Sequence, residues 1–271
     1  MSAPSPYKTI AVASTFSPRF LQVLSEAKRM SDRFSCDLNL IYVGDKTEET
    51  TRKFRDVLGQ LSLPLDSTIH YQRGDPAGGI LQALSDQKID MIVAGALEKE
   101  VVLHPFLGNV ARRLVREARC SVMLFTHPEK EPKPLRKIVF VADYSDHARG
   151  ALEKTFQLAS AENAECLYVI RVITAFDEAR AKADGGQKIR SLDDEEAELE
   201  EFVLSSGTTE VPIEARCIRG NTGFATADFV KSVNADLLVV PLQQSANGSQ
   251  ALPSNIAWIT DVIPCNLWVI R

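Results

Sequence analysis

The sequence predicts an α/β fold built twice, as two tandem domains, each a parallel doubly wound sheet flanked by helices. Three observations predict it. Apolar runs such as Met91-Ile92-Val93-Ala94 lack polar alternation, as strands covered on both faces do. Such runs alternate with amphipathic segments of helical length, the pattern of a parallel sheet with right-handed crossovers. And the chain repeats itself, segment by segment and in the same order.

In the first copy, strands are expected near Thr9–Ala13, Asp37–Val43, Ser67–Tyr71, Met91–Ala94 and Val122–Phe125, with four helices between them. "KTIAVASTFSPRF" (Lys8–Phe20) reads as a short apolar strand, a polar turn and the start of a helix. Gly74-Asp75-Pro76 resembles a phosphate turn, but Asp-Pro is also a common helix start with proline at the first helical position. After the fourth strand, "GALEKEVVLHPFLGN" leads into a helix for which Asn109 is the expected N-cap. That helix carries Arg112, Arg113, Arg116 and Arg119, which favour an anion or simply complement the negative end of the helix dipole. In doubly wound sheets ligands bind beyond the carboxyl ends of the strands, where the winding reverses. The turns that matter therefore follow the first and fourth strands.

The second copy follows. With Ile10 placed on Ile138, Ser17 falls on Ser145 and Leu38 on Cys166, an offset of 128. "RGDPAGGILQALSDQKIDMIVAG" (Arg73–Gly95) then lies without gaps over "RGNTGFATADFVKSVNADLLVVP" (Arg219–Pro241), an offset of 146. Gly74 meets Gly220, Asp90 meets Asp236, Asn109-Val110-Ala111 meets Asn255-Ile256-Ala257, and both copies close on a cysteine and a strand. The change of offset places an insertion of eighteen residues between Arg171 and Cys217, where seven of the nine residues from Asp193 to Glu201 are acidic. That run is a solvated helix face or a surface that recruits a partner. The three prolines of "HPEKEPKP" mark the break, giving domains at 7–127 and 135–271 and a linker at 128–134.

Composition narrows the function. Of 271 residues, 45% are hydrophobic and 25% charged, as in ordinary globular chains. No run reaches the ~18–20 apolar residues of a membrane span, and the N-terminus lacks the pattern of a secretory signal. The five scattered cysteines read as reduced thiols in a cytoplasmic protein. The four histidines are isolated and no CxxC occurs, so no metal site is expected. Net charge is −5, with the first half (1–134) slightly positive and the second half (135–271) acidic, against nucleic acid as the main partner. No nucleophile elbow or Cys–His pairing suggests covalent catalysis. Trp258 and Trp268 read as core or domain packing, and His104 as an incidental loop residue.

The turn "VADYSD" (Val141–Asp146), the "RGDP" and "RGNT" turns, "IDMIVAG" and the loop before "GNVARRLVREARCSVML" together resemble the universal stress protein family in its tandem form. The resemblance spans Tyr7 to Arg271. It implies Rossmann-like five-stranded parallel sheets in the order 3-2-1-4-5, an internal pseudo-dimer of the two domains through their last strands, and homodimers. Members that bind ATP carry an aspartate at the end of the first strand and a G-x2-G-x9-G-S/T loop after the fourth. In that pattern glycines let backbone N–H groups approach phosphate, and a helix amino terminus supplies further donors.

Carried over, the first copy reads Gly95-x2-Glu98-x9-Gly108-Asn109, with the spacing kept and a glutamate at the middle glycine. Its aspartate position is Thr15. The second copy keeps the aspartate as Asp143 but reads Pro241-x2-Gln244-x9-Ser254-Asn255, with no glycine. A carboxylate ~4 Å from a phosphate at an effective dielectric near 20 repels it by about 4 kcal/mol.

The expectation is thus a non-catalytic binding or regulatory protein with degenerate nucleotide loops and no cofactor, acting on a small molecule or a partner protein. The alternative keeps ATP, ADP or AMP in the first copy, with a weak ATPase, for which no base is identifiable, as its extension. There Gly95, Gly108, Asn109 and Val110 would hold phosphate, Ser14 and Thr15 would replace the aspartate, and the Val43 backbone would meet the base.

Overall fold

The computed structural model describes residues 5–96, 108–177, 179, 191–243 and 264–271. The chain divides into two compact units, Met1–Lys133 and Pro134–Arg271. Glu98, Glu100, His104, Gln244, Ser254, Asn255 and Trp258 lie outside the described residues.

Unit 1 runs β1 (Thr9–Ser14), α1 (Phe20–Phe34), β2 (Asp37–Val43), α2 (Glu48–Gln60), β3 (Ile69–Gln72), α3 (Pro76–Asp86), β4 (Met91–Gly95), α4 (Asn109–Glu117) and β5 (Ser121–Phe125). Its strands are parallel and ordered β3-β2-β1-β4-β5. Ile10, Ala11, Val12 and Met91, Ile92, Val93 are each fully buried, which explains their unbroken apolar runs. Helix α3 starts with Asp75 as N-cap, its side chain accepting from Gly78 N–H, and with Pro76 as first residue. The "RGDP" turn is therefore a helix start.

Unit 2 runs β6 (Lys137–Val141), α5 (Asp146–Glu162), β7 (Cys166–Ile173), α6 (Leu192–Ser205), β8 (Ile213–Arg219), α7 (Thr222–Ser232), β9 (Leu237–Pro241) and β10 (Asn266–Ile270). Its order is β8-β7-β6-β9-β10, again parallel. Both units thus carry the 3-2-1-4-5 order.

The repeat extends to single hydrogen bonds. Asp90 Oδ2 accepts from the Lys8 and Thr9 N–H groups at 2.7 and 3.0 Å. Asp236 Oδ2 accepts from Arg136 and Lys137 N–H, both at 2.8 Å. Each aspartate, one residue before its strand, ties the start of the fourth strand to the start of the first. The first helices also end alike, on Ser35 and Asn163, both left-handed with φ near 50°.

The register corrects the alignment at one point. Thr9 pairs with Asp37, and Lys137 with Cys166, so Asp37, not Leu38, matches Cys166. Unit 2 has one extra residue after its first helix. The offset is 129 through β7 and 146 from β8, so the insertion is seventeen residues. Nor is the acidic run inserted material. It is α6, which occupies the place of α2, and most of the extra length falls in 174–191, where unit 1 uses only 44–47. Helix α6 opens on a Ser191–Asp194 capping box and buries Leu199, Phe202 and Val203, leaving Asp193, Glu200 and Glu201 exposed.

Candidate functional site

The turn after the first strand is built alike in both units. In unit 1, Phe16 packs on Tyr42 of β2 and Phe54 of α2, with ring centroids 5.1 and 4.9 Å away. Phe54 is almost fully buried and also meets Phe20, Tyr42 and Tyr71. In unit 2, Tyr144 stands where Phe16 does. It packs on Phe202 of α6 at 5.4 Å, and the Arg171 guanidinium lies 5.3 Å from the centre of its ring. An aromatic residue at the strand end thus locks the turn onto the second helix.

The polar residues of the turn differ. Thr15 Oγ1 donates to Ser17 Oγ at 3.0 Å, and Ser14, buried, donates to the Val12 carbonyl at 3.2 Å. Asp143 Oδ1 accepts from Ser145 N–H at 3.0 Å and from Ser145 Oγ at 2.6 Å. This turn puts Tyr144 at φ 62°, an uncommon conformation for a residue with a side chain. Asp143 therefore has a structural use at the aspartate position, and Thr15 substitutes for it only locally.

Beyond the carboxyl ends of β1, β2 and β4, unit 1 holds a cavity of about 570 Å³. Ser14, Thr15, Val43, Gly95, Gly108 and Val110 all line it, so the structure gathers residues drawn from four separate stretches of chain. Asn109 is exposed and is not among its described lining residues, and Asp143 belongs to unit 2. Asn109 is also not the N-cap. Gly108 takes that position in extended conformation, its N–H donating to the Ala96 carbonyl and its carbonyl accepting from Arg112 N–H. With its N–H spent on β4's extension, Gly108 is the last residue that a strand-to-helix turn leaves outside the helix.

The arginines of α4 do not line the cavity among the described residues. Arg113 pairs with Asp75 at 2.8 Å and with Glu117 at 3.1 Å, joining α4 to the start of α3. The Gly78 N–H, and then the Arg113 guanidinium, hold the Asp75 carboxyl below its usual range. Beside the cavity, a shallower recess is lined by Val43, Gly44, Asp45, Arg73 and Gly74, and there Arg73 pairs with Asp45 at 3.0 Å.

Sequence reasoning missed the hydrocarbon wall. Phe16, Phe20, Tyr42, Ile80 and Phe125 line the cavity, and so does Pro128 of the expected linker. The linker is fastened to unit 1, since the Lys130 carbonyl accepts from Ser25 Oγ at 2.8 Å. A serine on the otherwise buried face of α1 was the available signal.

The Universal stress protein family model matches residues 59–126 and 134–271, most of the chain. The chain belongs to this family. It is a tandem universal stress protein, with one family unit in each half. A universal stress protein of Methanocaldococcus jannaschii is 23% identical over 147 residues, 46% of this chain and 85% of that one. A Pseudomonas aeruginosa protein of unknown function superposes with a TM-score of 0.72 at 13% identity, over 98% of this chain and 93% of that one. A universal stress protein of Archaeoglobus fulgidus gives 0.62 at 15% identity, over 97% and 96%. At such identities these structures establish the shared fold. No helix among the described residues is long and apolar enough to cross a membrane.

Proposed function

We propose that this universal stress protein is a non-catalytic small-molecule-binding protein, that its site is the unit 1 cavity, and that its loops no longer hold a polyphosphate. The observation that carries this reading is the make-up of the cavity. It brings six of the expected site residues together, yet a threonine satisfied within its own turn stands where ATP-binding relatives place a carboxylate. Gly95 and Gly108 keep the frame of the loop, and in unit 2 the position of Gly95 is Pro241, whose ring denies the close backbone approach that glycine allows. Five free thiols favour a reducing, cytoplasmic setting.

Isothermal titration of the whole chain with ATP, ADP and AMP tests this, alongside an assay for phosphate release. The expected result is no micromolar nucleotide binding and no turnover. Micromolar ATP binding that Gly108→Arg abolishes would instead establish the alternative, a nucleotide site retained in unit 1.

A further inference from the structure

We infer that the unit 1 cavity takes a neutral aromatic molecule with one hydrogen-bond acceptor, its rings against the hydrocarbon walls and its acceptor at the amino end of α4. This rests on the reading of the cavity as a ligand site and names the class of ligand.

The walls are particular to unit 1. Phe16, Phe20, Tyr42, Ile80 and Phe125 line the cavity. At the matching places in unit 2, Ala148 stands for Phe20 and Thr226 for Ile80, so the fold alone does not demand these large apolar side chains. Phe16 and Phe20 are held against each other and against Phe54, with ring centroids 4.9–6.2 Å apart. The walls are thus a fixed set of ring faces and edges. An aromatic body gains by leaving water and by meeting such rings. A cavity of about 570 Å³ falls within the range of small-molecule sites.

The polar groups of the lining are already in use. Ser14 donates to the Val12 carbonyl and Thr15 to Ser17 Oγ, and Arg19 has an interaction of its own. The two loop glycines serve the fold as well. A Cβ at Gly95 would stand 3.3 Å from Val23 Cγ2, and the Gly108 N–H donates to the Ala96 carbonyl. A ribose diol or a phosphate chain entering here would give up its hydration for few partners, which costs more than a hydrogen bond returns.

One polar feature stays open to a ligand. Gly108, the N-cap of α4, makes no side-chain capping bond, and Val110 and Ala111 of the first turn line the cavity. Their N–H groups have no partner within the helix, and a single carbonyl oxygen would answer them. An anion placed there would shed its water against hydrocarbon on its other sides, a cost that a neutral carbonyl does not carry.

The test is titration of the full chain with 2-acetonaphthone, followed by its naphthalene fluorescence. The comparison compounds are 2-ethylnaphthalene, which lacks the acceptor, 2-naphthoate, which carries a charge, and AMP and ATP. The expected result is one acetonaphthone per chain, with ethylnaphthalene roughly tenfold weaker and naphthoate weaker than the ketone. Ile80→Thr, which copies unit 2, should weaken both neutral compounds severalfold. Val110→Trp, on the partly exposed first turn of α4, should fill the space and abolish binding. No binding of acetonaphthone at its solubility limit overturns the inference. So does tighter binding of naphthoate, AMP or ATP that Val110→Trp abolishes, which would keep the cavity as the site and refute only its chemistry. Equal affinity of ethylnaphthalene and the ketone removes the role of α4. Failure of the underlying reading looks different: the neutral compounds would bind with affinity untouched by both Ile80→Thr and Val110→Trp.

Discussion

Asp90 and Asp236 show how much a single side chain fixes in this fold. Each offers one carboxylate oxygen to two successive backbone N–H groups at the start of the first strand of its unit. Without that acceptor the two donors are left to whatever water reaches them, at a cost of about 1–3 kcal/mol. Asp90→Ala and Asp236→Ala should each lower the urea midpoint of the protein, with Asn at either place less damaging because it keeps an oxygen acceptor. Equilibrium unfolding followed by circular dichroism reads the shift, and an unchanged midpoint in both alanine variants would contradict the role. The sequence already aligned these two aspartates. Their partners were not legible, because a residue just before a strand equally well caps, turns or faces solvent.

At the scale of elements, the second helix of each unit holds the strand-end turn. Phe54 is the hub in unit 1, with Phe16, Phe20, Tyr42 and Tyr71 around it. Phe54→Ala should cost about 3–5 kcal/mol, as large-to-small changes of buried aromatic residues do. It should also loosen Phe16, and so weaken any ligand of the cavity, whereas Phe54→Leu restores much of the stability. In unit 2, α5 begins with Ser145 accepting from Ala148 N–H at 3.0 Å, and Ser145→Ala should cost about 1 kcal/mol. Helix α6 has a further consequence. Since it buries Leu199, Phe202 and Val203, deleting Ser191–Glu201 would remove a packed helix along with its charge. Recruitment by the acidic face is better tested by replacing the exposed Asp193, Glu200 and Glu201 with lysine, which leaves the buried face intact.

For the molecule as a whole, the five cysteines report on both units at once. Burial pushes the thiols of Cys36 and Cys217 up to about 11 and that of Cys265 up to about 12, and raises Cys166 as well. A raised thiol pKa keeps the group protonated at pH 8, and the thiolate is the reactive form. Iodoacetamide at pH 8 should therefore leave Cys217 and Cys265 unmodified in the native protein and alkylate all five in urea, as read by peptide mass spectrometry. Rapid native labelling of Cys265 would show that unit 2 opens more readily than its packing implies.

The sequence by itself determined that the chain is written twice, that each half alternates strand and helix around a parallel sheet, and where the strand-end turns lie. Those features follow from periodicity, turn chemistry and self-similarity, all of which are local along the chain. Only the tertiary structure decided what the turns do. The winding of β1, β2 and β4 carries Ser14, Val43, Gly95 and Gly108 to one cavity, although they are scattered through the first half of the sequence. It also spends Thr15 on its own turn, Gly108 on capping α4 and Arg113 on two carboxylates. Whether a polar group is free for a ligand depends on which partners packing brings beside it, and those partners come from distant stretches of chain that no local pattern connects.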